Sequence, residues 1–257
     1  MINLDFTFAA YRKLLMAISR SGLEVYTVEK YLQSGKPARG VILRHDADLS
    51  IKKALRLAQI ENSFGISTTY YFRIPKTFNE EIIREIHGLG HEVGYHFEVL
   101  DKTSGDYERA VRLFVDEINQ FRQKTGIDIT TVCSHGGLPY DGREKTGYKL
   151  NLDIFDYAPG LYDETEILGE AYRDIGLSNT TYFSDSQARW HYIPDIWGII
   201  EHIESNPERI VYILAHPDHW NATVLGLGYQ KMKRMVVPIL LKSGTFVKLM
   251  KKIRLLS

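Results

Sequence analysis

The sequence predicts an α/β protein built as a single barrel-like domain with mainly parallel strands. From about Gly40, segments rich in β-branched and aromatic residues alternate with segments of helical periodicity. That alternation is typical of right-handed βαβ units, which form parallel sheets. No internal repeat, low-complexity tract or linker interrupts the 257 residues, and barrel folds of about this length are commonly one domain.

The spacing of apolar residues and the capping signals place the individual elements. Strands are predicted at 41–46, 67–74, 91–99, 129–135 and 209–220. Helices are predicted at 50–65, 79–90, 107–126 and 193–205, with Asn79 as a cap. N-terminal helices (about 1–39) and a basic helical C-terminal segment (about 224–257) complete the predicted domain. The periodicity between about Pro139 and Pro194 is too weak to assign elements.

Composition and charge exclude several classes of protein. The formal net charge is zero, which gives no reason to expect a nucleic-acid partner. The single cysteine, Cys133, excludes an intramolecular disulfide and a multi-cysteine zinc site. No stretch has the pattern of a signal peptide, and the apolar run VVPILL is too short to span a bilayer. We therefore expect a cytoplasmic protein.

Ionisable side chains follow the end of every predicted strand. They are Arg44 to Asp48, Arg73, His96 to Glu98, His135, and His216 to His219. The carboxyl ends of parallel strands meet at one edge and form the ligand crevice of such folds. One histidine in this position is more often structural than functional. Five strand ends with such residues predict a functional site.

Histidine and aspartate without cysteine favour zinc or another first-row divalent ion with a coordination position open to water. Asp46 and Asp48 are two residues apart on an extended segment, so their side chains point to the same side. One of the two carboxylates can bind the ion while the other takes a proton from the water.

The order of these motifs resembles the polysaccharide deacetylase family with the NodB homology domain, also called carbohydrate esterase family 4. The similarity is to a divergent branch with a His-Asp-x-Asp first motif, here His45 to Asp48. GHEVGYH, the Pro-Tyr pair and Leu-Ala-His follow in the family's order, and the resemblance covers roughly Val41 to Trp220. It implies a distorted (β/α) barrel of the NodB type and metal-dependent removal of an N-acyl group, above all acetyl, from a sugar.

The resemblance also implies roles for individual residues. Asp46 matches the family's base, and Asp48 and His96 match metal ligands. The backbone amide near Tyr140 matches the group that stabilises the oxyanion, and His216 matches the general acid. The implied cofactor is a divalent metal ion, zinc in the first place, with nickel, cobalt or iron as alternatives.

Two departures from the family's pattern need replacements. Leu100 stands where the second metal-binding histidine is expected. We expect the third ligand to be His135, with Glu98 as the second candidate because it shares a strand face with His96. The arginine that precedes the Pro-Tyr pair in the family is replaced by Gly137. Three arginines are candidates to substitute for it in space: Arg143, Arg189 and Arg73.

Further residues are assigned to substrate contact or to structure. The predicted substrate contacts are Arg73, Glu98, Asp185, Trp190 and His219. Asp185 and Trp190 weakly match an Asp-Trp segment of the family, and core packing is the alternative for Trp190. His45 and His91 are expected to be structural.

The resemblance implies a role in the biosynthesis of a cell-surface polysaccharide such as O-antigen, with a saccharide substrate that is nucleotide-linked or lipid-linked. The basic, amphipathic segment from Thr245 to Ser257 either covers the barrel or lies on the inner membrane surface. Two alternatives remain for the function. One is hydrolysis of another carbon-nitrogen amide bond, such as N-formyl; the other is a catalytically lapsed saccharide-binding or scaffold protein.

Overall fold

The structure, a computed structural model, describes residues 5–136 and 148–223, with the backbone alone described at Tyr148. The segment with Gly137 and Tyr140, Arg143 and the basic C-terminal segment lie outside these ranges. The predictions made for them therefore stay predictions. None of the helices in the described ranges combines the length and the apolar character needed to cross a bilayer.

Eight strands and nine α-helices occur within the described ranges. The strands are β1 (Val25–Tyr26), β2 (Gly40–Ala47), β3 (Thr69–Phe72), β4 (Glu92–Phe97), β5 (Thr131–Ser134), β6 (Gly169–Glu170), β7 (Thr180–Ser184) and β8 (Ile210–Ala215). The helices are α1 (Phe8–Ser21), α2 (Val28–Gln33), α3 (Ile51–Asn62), α4 (Glu80–Gly88), α5 (Val99–Lys102), α6 (Tyr107–Thr125), α7 (Tyr148–Tyr157), α8 (Leu161–Thr165) and α9 (Ile196–Glu204).

All strands pair in parallel in one sheet with the order β6-β5-β4-β3-β2-β8-β7. The short strand β1 pairs with Val41 and Ile42 at the start of β2, beside the residues that pair with β3. The sheet forms a half-barrel with the helices around it. This confirms the predicted distorted (β/α) barrel with mainly parallel strands.

Side-chain caps explain where several helices begin. Asn79 accepts a hydrogen bond from the backbone N–H of Ile82, as predicted for the start of α4. Asp106 and Asp195 cap α6 and α9 in the same way. Gly126 ends α6 with φ at 70°, a left-handed conformation that glycine adopts without a steric penalty.

The pleat of β2 separates the helix-packed side of the sheet from the barrel interior. Val41, Leu43 and Ala47 are buried in the large apolar cluster that includes the surrounding helices. The alternate residues Ile42, Arg44 and Asp46 point the other way, and Ile42 belongs to a smaller inner cluster. The interior therefore changes along β2 from apolar to charged, and the charged end carries the candidate site.

The structure adds elements that the sequence pattern did not reveal. Strand β1 lies in the segment predicted to hold only helices, and β6 and β7 lie in the segment left unassigned. Two-residue strands such as β1 and β6 are too short to show an alternating pattern. The predicted strand at 91–99 ends at Phe97, because Val99 begins the short helix α5.

A buried polar cluster on the outer side of β2 explains His45 and His91. The carboxylate of Glu61 in α3 lies 2.6 Å from His45 Nε2 and accepts hydrogen bonds from the hydroxyls of Tyr70 and Tyr11. His91 Nε2 donates to the carbonyl of Ala58 at 3.0 Å. Both histidines face away from the barrel interior and cross-link helices to the sheet, as the structural role predicted for them requires.

We expect Glu61→Gln to destabilise the fold strongly, because it leaves the buried His45 without its carboxylate partner. Leaving a buried hydrogen-bond donor without its acceptor commonly costs about 1–3 kcal/mol. Chemical denaturation of the purified protein measures this free energy of unfolding. The exposed pair of Glu108 and Arg112 provides the control, since Glu108→Gln there should change stability by less than about 1 kcal/mol. Equal effects of the two substitutions would contradict a stabilising role for the buried cluster.

Candidate active site

The candidate site lies at the carboxyl ends of four strands of the half-barrel. Asp46 is near the end of β2 and Asp48 directly follows that strand. His96 is near the end of β4, and His135 and His216 follow β5 and β8. Parallel pairing brings these strand ends to one edge of the sheet, so residues far apart in sequence become neighbours.

Asp48, His96 and His135 converge with the geometry of a metal site. Asp48 Oδ1 lies 3.5 Å from His96 Nε2 and 3.6 Å from His135 Nε2, and the three side chains form one potential ligand group. Ligand atoms that surround a tetrahedral zinc ion at about 2.0–2.1 Å are about 3.3 Å apart. The space between these three atoms is therefore close to the size that one such ion needs.

The hydrogen bonding of these residues also fits a cation. His96 Nδ1 donates to the carbonyl of Cys133 at 2.9 Å, which leaves Nε2 with its lone pair toward the site. Asp48 Oδ1 is buried without a hydrogen-bond partner among the described residues. Burial is the largest cause that lowers the pKa of His135, to about 2, so its imidazole is neutral. A cation would satisfy the lone pairs that face one another here.

Asp46 is held by an arginine from its own strand. Arg44 Nη2 donates to Asp46 Oδ2 at 2.9 Å, and both side chains are buried. Burial alone would raise the pKa of Asp46, but the guanidinium of Arg44, followed by His96, outweighs burial and holds that pKa below its ordinary value. Asp46 is therefore an ionised acceptor, and its Oδ2 lies 3.6 Å from His96 Nε2.

The sequence analysis placed Arg44 among the ionisable groups at the strand ends but gave it no role in the site. Of the arginines that it considered as substitutes for the one missing at Gly137, Arg73 pairs with Glu98, and Arg189 is exposed. The sequence did carry a signal, because Arg44 precedes Asp46 by two residues and so shares its strand face.

Asp185 supports His216 from behind, and its predicted contact with a substrate stays a prediction. It is fully buried, and its Oδ1 lies 2.6 Å from His216 Nδ1. Its carboxylate also accepts hydrogen bonds from the His216 backbone N–H and from Trp220 Nε1. Burial disfavours the imidazolium of His216, but the carboxylate of Asp185 outweighs burial and raises the pKa of His216 to about 9. His216 is thus protonated at neutral pH, with Nε2 3.9 Å from Asp48 Oδ2.

Trp190 packs as the alternative of core packing predicts. It is 8% exposed and stacks on Phe6 with ring centroids 5.8 Å apart, and its contact with substrate stays a prediction. His219 is buried beside His216 with Nδ1 3.4 Å from Asp185 Oδ2, and its contact with substrate stays a prediction.

Arg73 and Glu98 form an ion pair at the rim of the candidate metal centre. Arg73 Nη1 lies 4.0 Å from Asp48 Oδ1, and Glu98 Oε2 lies 3.6 Å from His135 Nδ1. Because Glu98 already pairs with Arg73, the geometry favours His135 over Glu98 as the third ligand. Substrate contact by Arg73 and Glu98 stays a prediction.

Two other groups of side chains are close enough to hold a metal but fit it less well. Cys133 lies behind Asp46 and His96, and burial raises the pKa of its thiol well above the ordinary value. A protonated thiol is a poor ligand. In the other group, Asp185, His216 and His219, the contact of 2.6 Å between Asp185 and His216 is a hydrogen bond. The group of Asp48, His96 and His135 is therefore the best candidate.

Comparisons with known proteins identified a structural similarity but no family. No family model matches the chain, and no curated protein matches it. One matching solved structure is described as that of a mutant of a CE4 family pseudoenzyme with restored enzymatic activity. The match has 13% sequence identity and a TM-score of 0.40, and it covers 75% of this chain and 61% of that chain. The similarity concerns the fold, extends over less than two thirds of the other protein, and implies nothing about activity.

We expect Asp185→Asn to lower the pKa of His216 from about 9 to near or below that of an exposed histidine. The substitution removes the charge that favours the imidazolium while the burial that opposes it remains. Titration of the histidine ¹⁵N shifts by NMR in metal-free protein measures this pKa. In the wild type, the raised pKa adds stability that is present below the ordinary histidine pKa and is lost as the pH rises through about 9. The variant should lose that pH dependence, whereas Asp163→Asn on the exposed helix α8 should keep it.

Proposed function

We propose that the protein is a metal-dependent hydrolase that removes an N-acyl group, in the first place acetyl, from a sugar. The proposal rests on one observation: a potential metal-ligand group, an ionised carboxylate and a protonated imidazole lie together at one edge of the sheet. A potential ligand group of Asp48, His96 and His135 lies between the ionised carboxylate of Asp46 and the protonated imidazole of His216.

A divalent cation, when bound, supplies Lewis acidity that polarises a carbonyl and makes water a stronger acid. Asp46 is placed to accept the proton of the attacking water, because Arg44 fixes its carboxylate and keeps it ionised. As the carbon-oxygen bond forms and the carbon-nitrogen bond breaks, His216 donates a proton from Nε2 to the departing amine. Its Nδ1 stays bonded to Asp185 during that transfer. The products are the free amine and the carboxylic acid, which ionises in water; Asp46 then loses its proton to solvent and His216 takes one up, so both groups are restored.

The ligand set supports zinc as the metal in this proposal. Two neutral imidazoles and one carboxylate are common zinc ligands, and they leave a position open for water. The same set also binds nickel, cobalt or iron, for which imidazole is a suitable ligand. We propose zinc first and keep those three as alternatives.

The sugar and the biological setting rest on the sequence motifs. The resemblance to polysaccharide deacetylases supports an N-acylated sugar, nucleotide-linked or lipid-linked, in the assembly of a surface polysaccharide such as O-antigen. We propose a cytoplasmic location, with the basic C-terminal segment as a possible contact to the inner membrane. Flotation of the full chain and of a chain shortened before Thr245 with anionic liposomes tests that contact.

Leu100 stands where the sequence motif predicts a metal-binding histidine, and this favours a catalytically lapsed protein as the second candidate. Leu100 is fully buried in the apolar core, so it offers nothing to a metal. A lapsed protein would contain no bound metal after purification without chelator, or would bind metal without hydrolysing any amide. Metal analysis of the purified protein is therefore the first experiment.

We expect Asp46→Asn to lower the rate of acetate release by about two to three orders of magnitude, since removal of a base or an electrostatic group commonly has that effect. The assay uses zinc-loaded protein with N-acetylated amino sugars, free and nucleotide-linked, and N-formyl sugars in parallel. Metal content is measured on the same samples.

Asp163→Asn on α8 is the matched control, because the same change is made on an exposed side chain away from the site. It should leave acetate release unchanged. An Asp46→Asn variant that keeps both its metal and its full activity would exclude Asp46 as the base. Formate release without acetate release would favour the N-formyl alternative.

A further inference from the structure

A buried amide lies behind the candidate metal centre and has no place in the proposed chemistry. Asn151 in α7 is fully buried. Its Oδ1 accepts a hydrogen bond from the backbone N–H of Leu100 at 2.9 Å. Its Nδ2 donates to the carbonyl of His135 at 3.0 Å and to Asp101 Oδ2 at 2.8 Å. The side chain thus connects the helix α5 to the backbone of the candidate third ligand.

These partners fix the orientation of the amide. The Leu100 N–H can only donate, and the His135 carbonyl and the Asp101 carboxylate can only accept. The oxygen of Asn151 must therefore face Leu100, and its nitrogen must face the other two groups. Both hydrogens of the nitrogen are used, so each polar atom of the buried amide has a partner.

The contact with His135 restrains a residue that has left the sheet. Strand β5 ends at Ser134. The N–H of His135 donates to the carbonyl of Phe97 at 2.8 Å, in continuation of the pairing between β4 and β5. Its carbonyl accepts a hydrogen bond from Asn151 Nδ2 at 3.0 Å and a longer one from the Ser134 hydroxyl at 3.5 Å. With both backbone polar groups held, the position from which the His135 imidazole extends toward Asp48 is defined.

The contact with Leu100 gives the Asn151 amide a second role, at the start of α5. Leu100 occupies the position at which the sequence motif predicted a second metal-binding histidine. The chain there forms α5, whose N-cap residue Glu98 makes no side-chain capping bond. An N–H in the first turn of such a helix needs an acceptor from elsewhere, and Asn151 provides it. The amide of Asn151 therefore stabilises α5, where Leu100 offers no metal ligand, and also holds His135, the candidate that replaces the expected histidine.

We propose that Asn151 is a positioning residue that fixes His135 as the third metal ligand. This inference rests on the proposed function, because it requires that Asp48, His96 and His135 bind a metal. Supporting groups behind metal ligands commonly change metal affinity about 10-fold to 100-fold when they are replaced. Asn151 acts through the backbone of His135 and touches neither the ion's position nor a substrate.

The test is the zinc affinity of Asn151→Asp, measured by competition with a chromophoric chelator. The substitution keeps the size of the side chain and the acceptor for Leu100, but it places a carboxylate oxygen against the His135 carbonyl and Asp101. We expect the zinc dissociation constant to rise by at least about 10-fold. The visible spectrum of the cobalt-loaded variant should also change, since it reports the arrangement of the ligands.

Two controls separate positioning from general damage to the fold. Asn119→Asp makes the same chemical change on the exposed side of α6 and should leave zinc affinity unchanged. Ile203→Val shortens a fully buried side chain in α9, which lowers stability, and should also leave the affinity unchanged. In a His135→Ala background, Asn151→Asp should cause no further loss of affinity, because the ligand it positions is gone.

The outcomes distinguish this inference from the proposed function. Wild-type zinc affinity in Asn151→Asp, or an equal loss in the His135→Ala background, would overturn the inference while the metal site stands. Failure of the wild-type protein to bind zinc, nickel, cobalt or iron would overturn both. If Asn151→Asp does not fold, Asp101→Ala replaces it, since that change releases one restraint on the amide at a partly exposed position. A smaller rise of the dissociation constant is expected there, and an unchanged value would overturn the inference.

Discussion

The buried ion pair between Arg44 and Asp46 is the interaction on which the candidate site depends. A guanidinium inside a barrel is costly unless its charge and its N–H groups are satisfied. Arg44 Nη2 pairs with Asp46, its Nη1 donates to the Tyr212 hydroxyl at 2.7 Å, and the ring of Tyr172 lies 4.1 Å from its central carbon. Its Nε is buried without a hydrogen-bond partner among the described residues. The same contacts fill the barrel below the site and keep one carboxylate ionised at its mouth.

That ion pair also gives two neighbouring aspartates different environments. Asp46 is buried against Arg44, whereas Asp48, just beyond the strand, has a partly exposed side chain and an oxygen directed at two imidazoles. Carboxylates that share one histidine repel each other unless positive charge lies between or beside them. Arg44 supplies such charge on one side, and a cation bound by Asp48, His96 and His135 would supply it on the other. The proposed division of roles, with Asp46 as base and Asp48 as metal ligand, is consistent with this asymmetry.

The three histidines of the site are each supported from behind. His96 Nδ1 donates a hydrogen bond to the carbonyl of Cys133, and His216 Nδ1 donates one to the carboxylate of Asp185. Both rings direct Nε2 toward Asp48. His135 is held through its backbone by Asn151. Neutral support leaves His96 with a free lone pair, and anionic support leaves His216 protonated. The nature of the supporting group thus decides which histidine can bind a cation and which can donate a proton.

Sequence patterns were enough to predict the alternation of strands and helices, a barrel-like domain with mainly parallel strands, and the strand ends that carry Asp46, Asp48, His96, His135 and His216. Apolar periodicity and short-range motifs encode those features locally. The strands β1 and β6 were not predicted, because two residues are too few to show an alternating pattern. Strand β7 was not predicted because it lies among turns. Three features became visible in the folded chain alone. Arg44 pairs with Asp46, Asp185 and Trp190 are buried, and the side chain of Asn151 donates a hydrogen bond to the carbonyl of His135. Burial and hydrogen bonding between segments far apart in the chain depend on how the helices close around the sheet, and no local pattern records that.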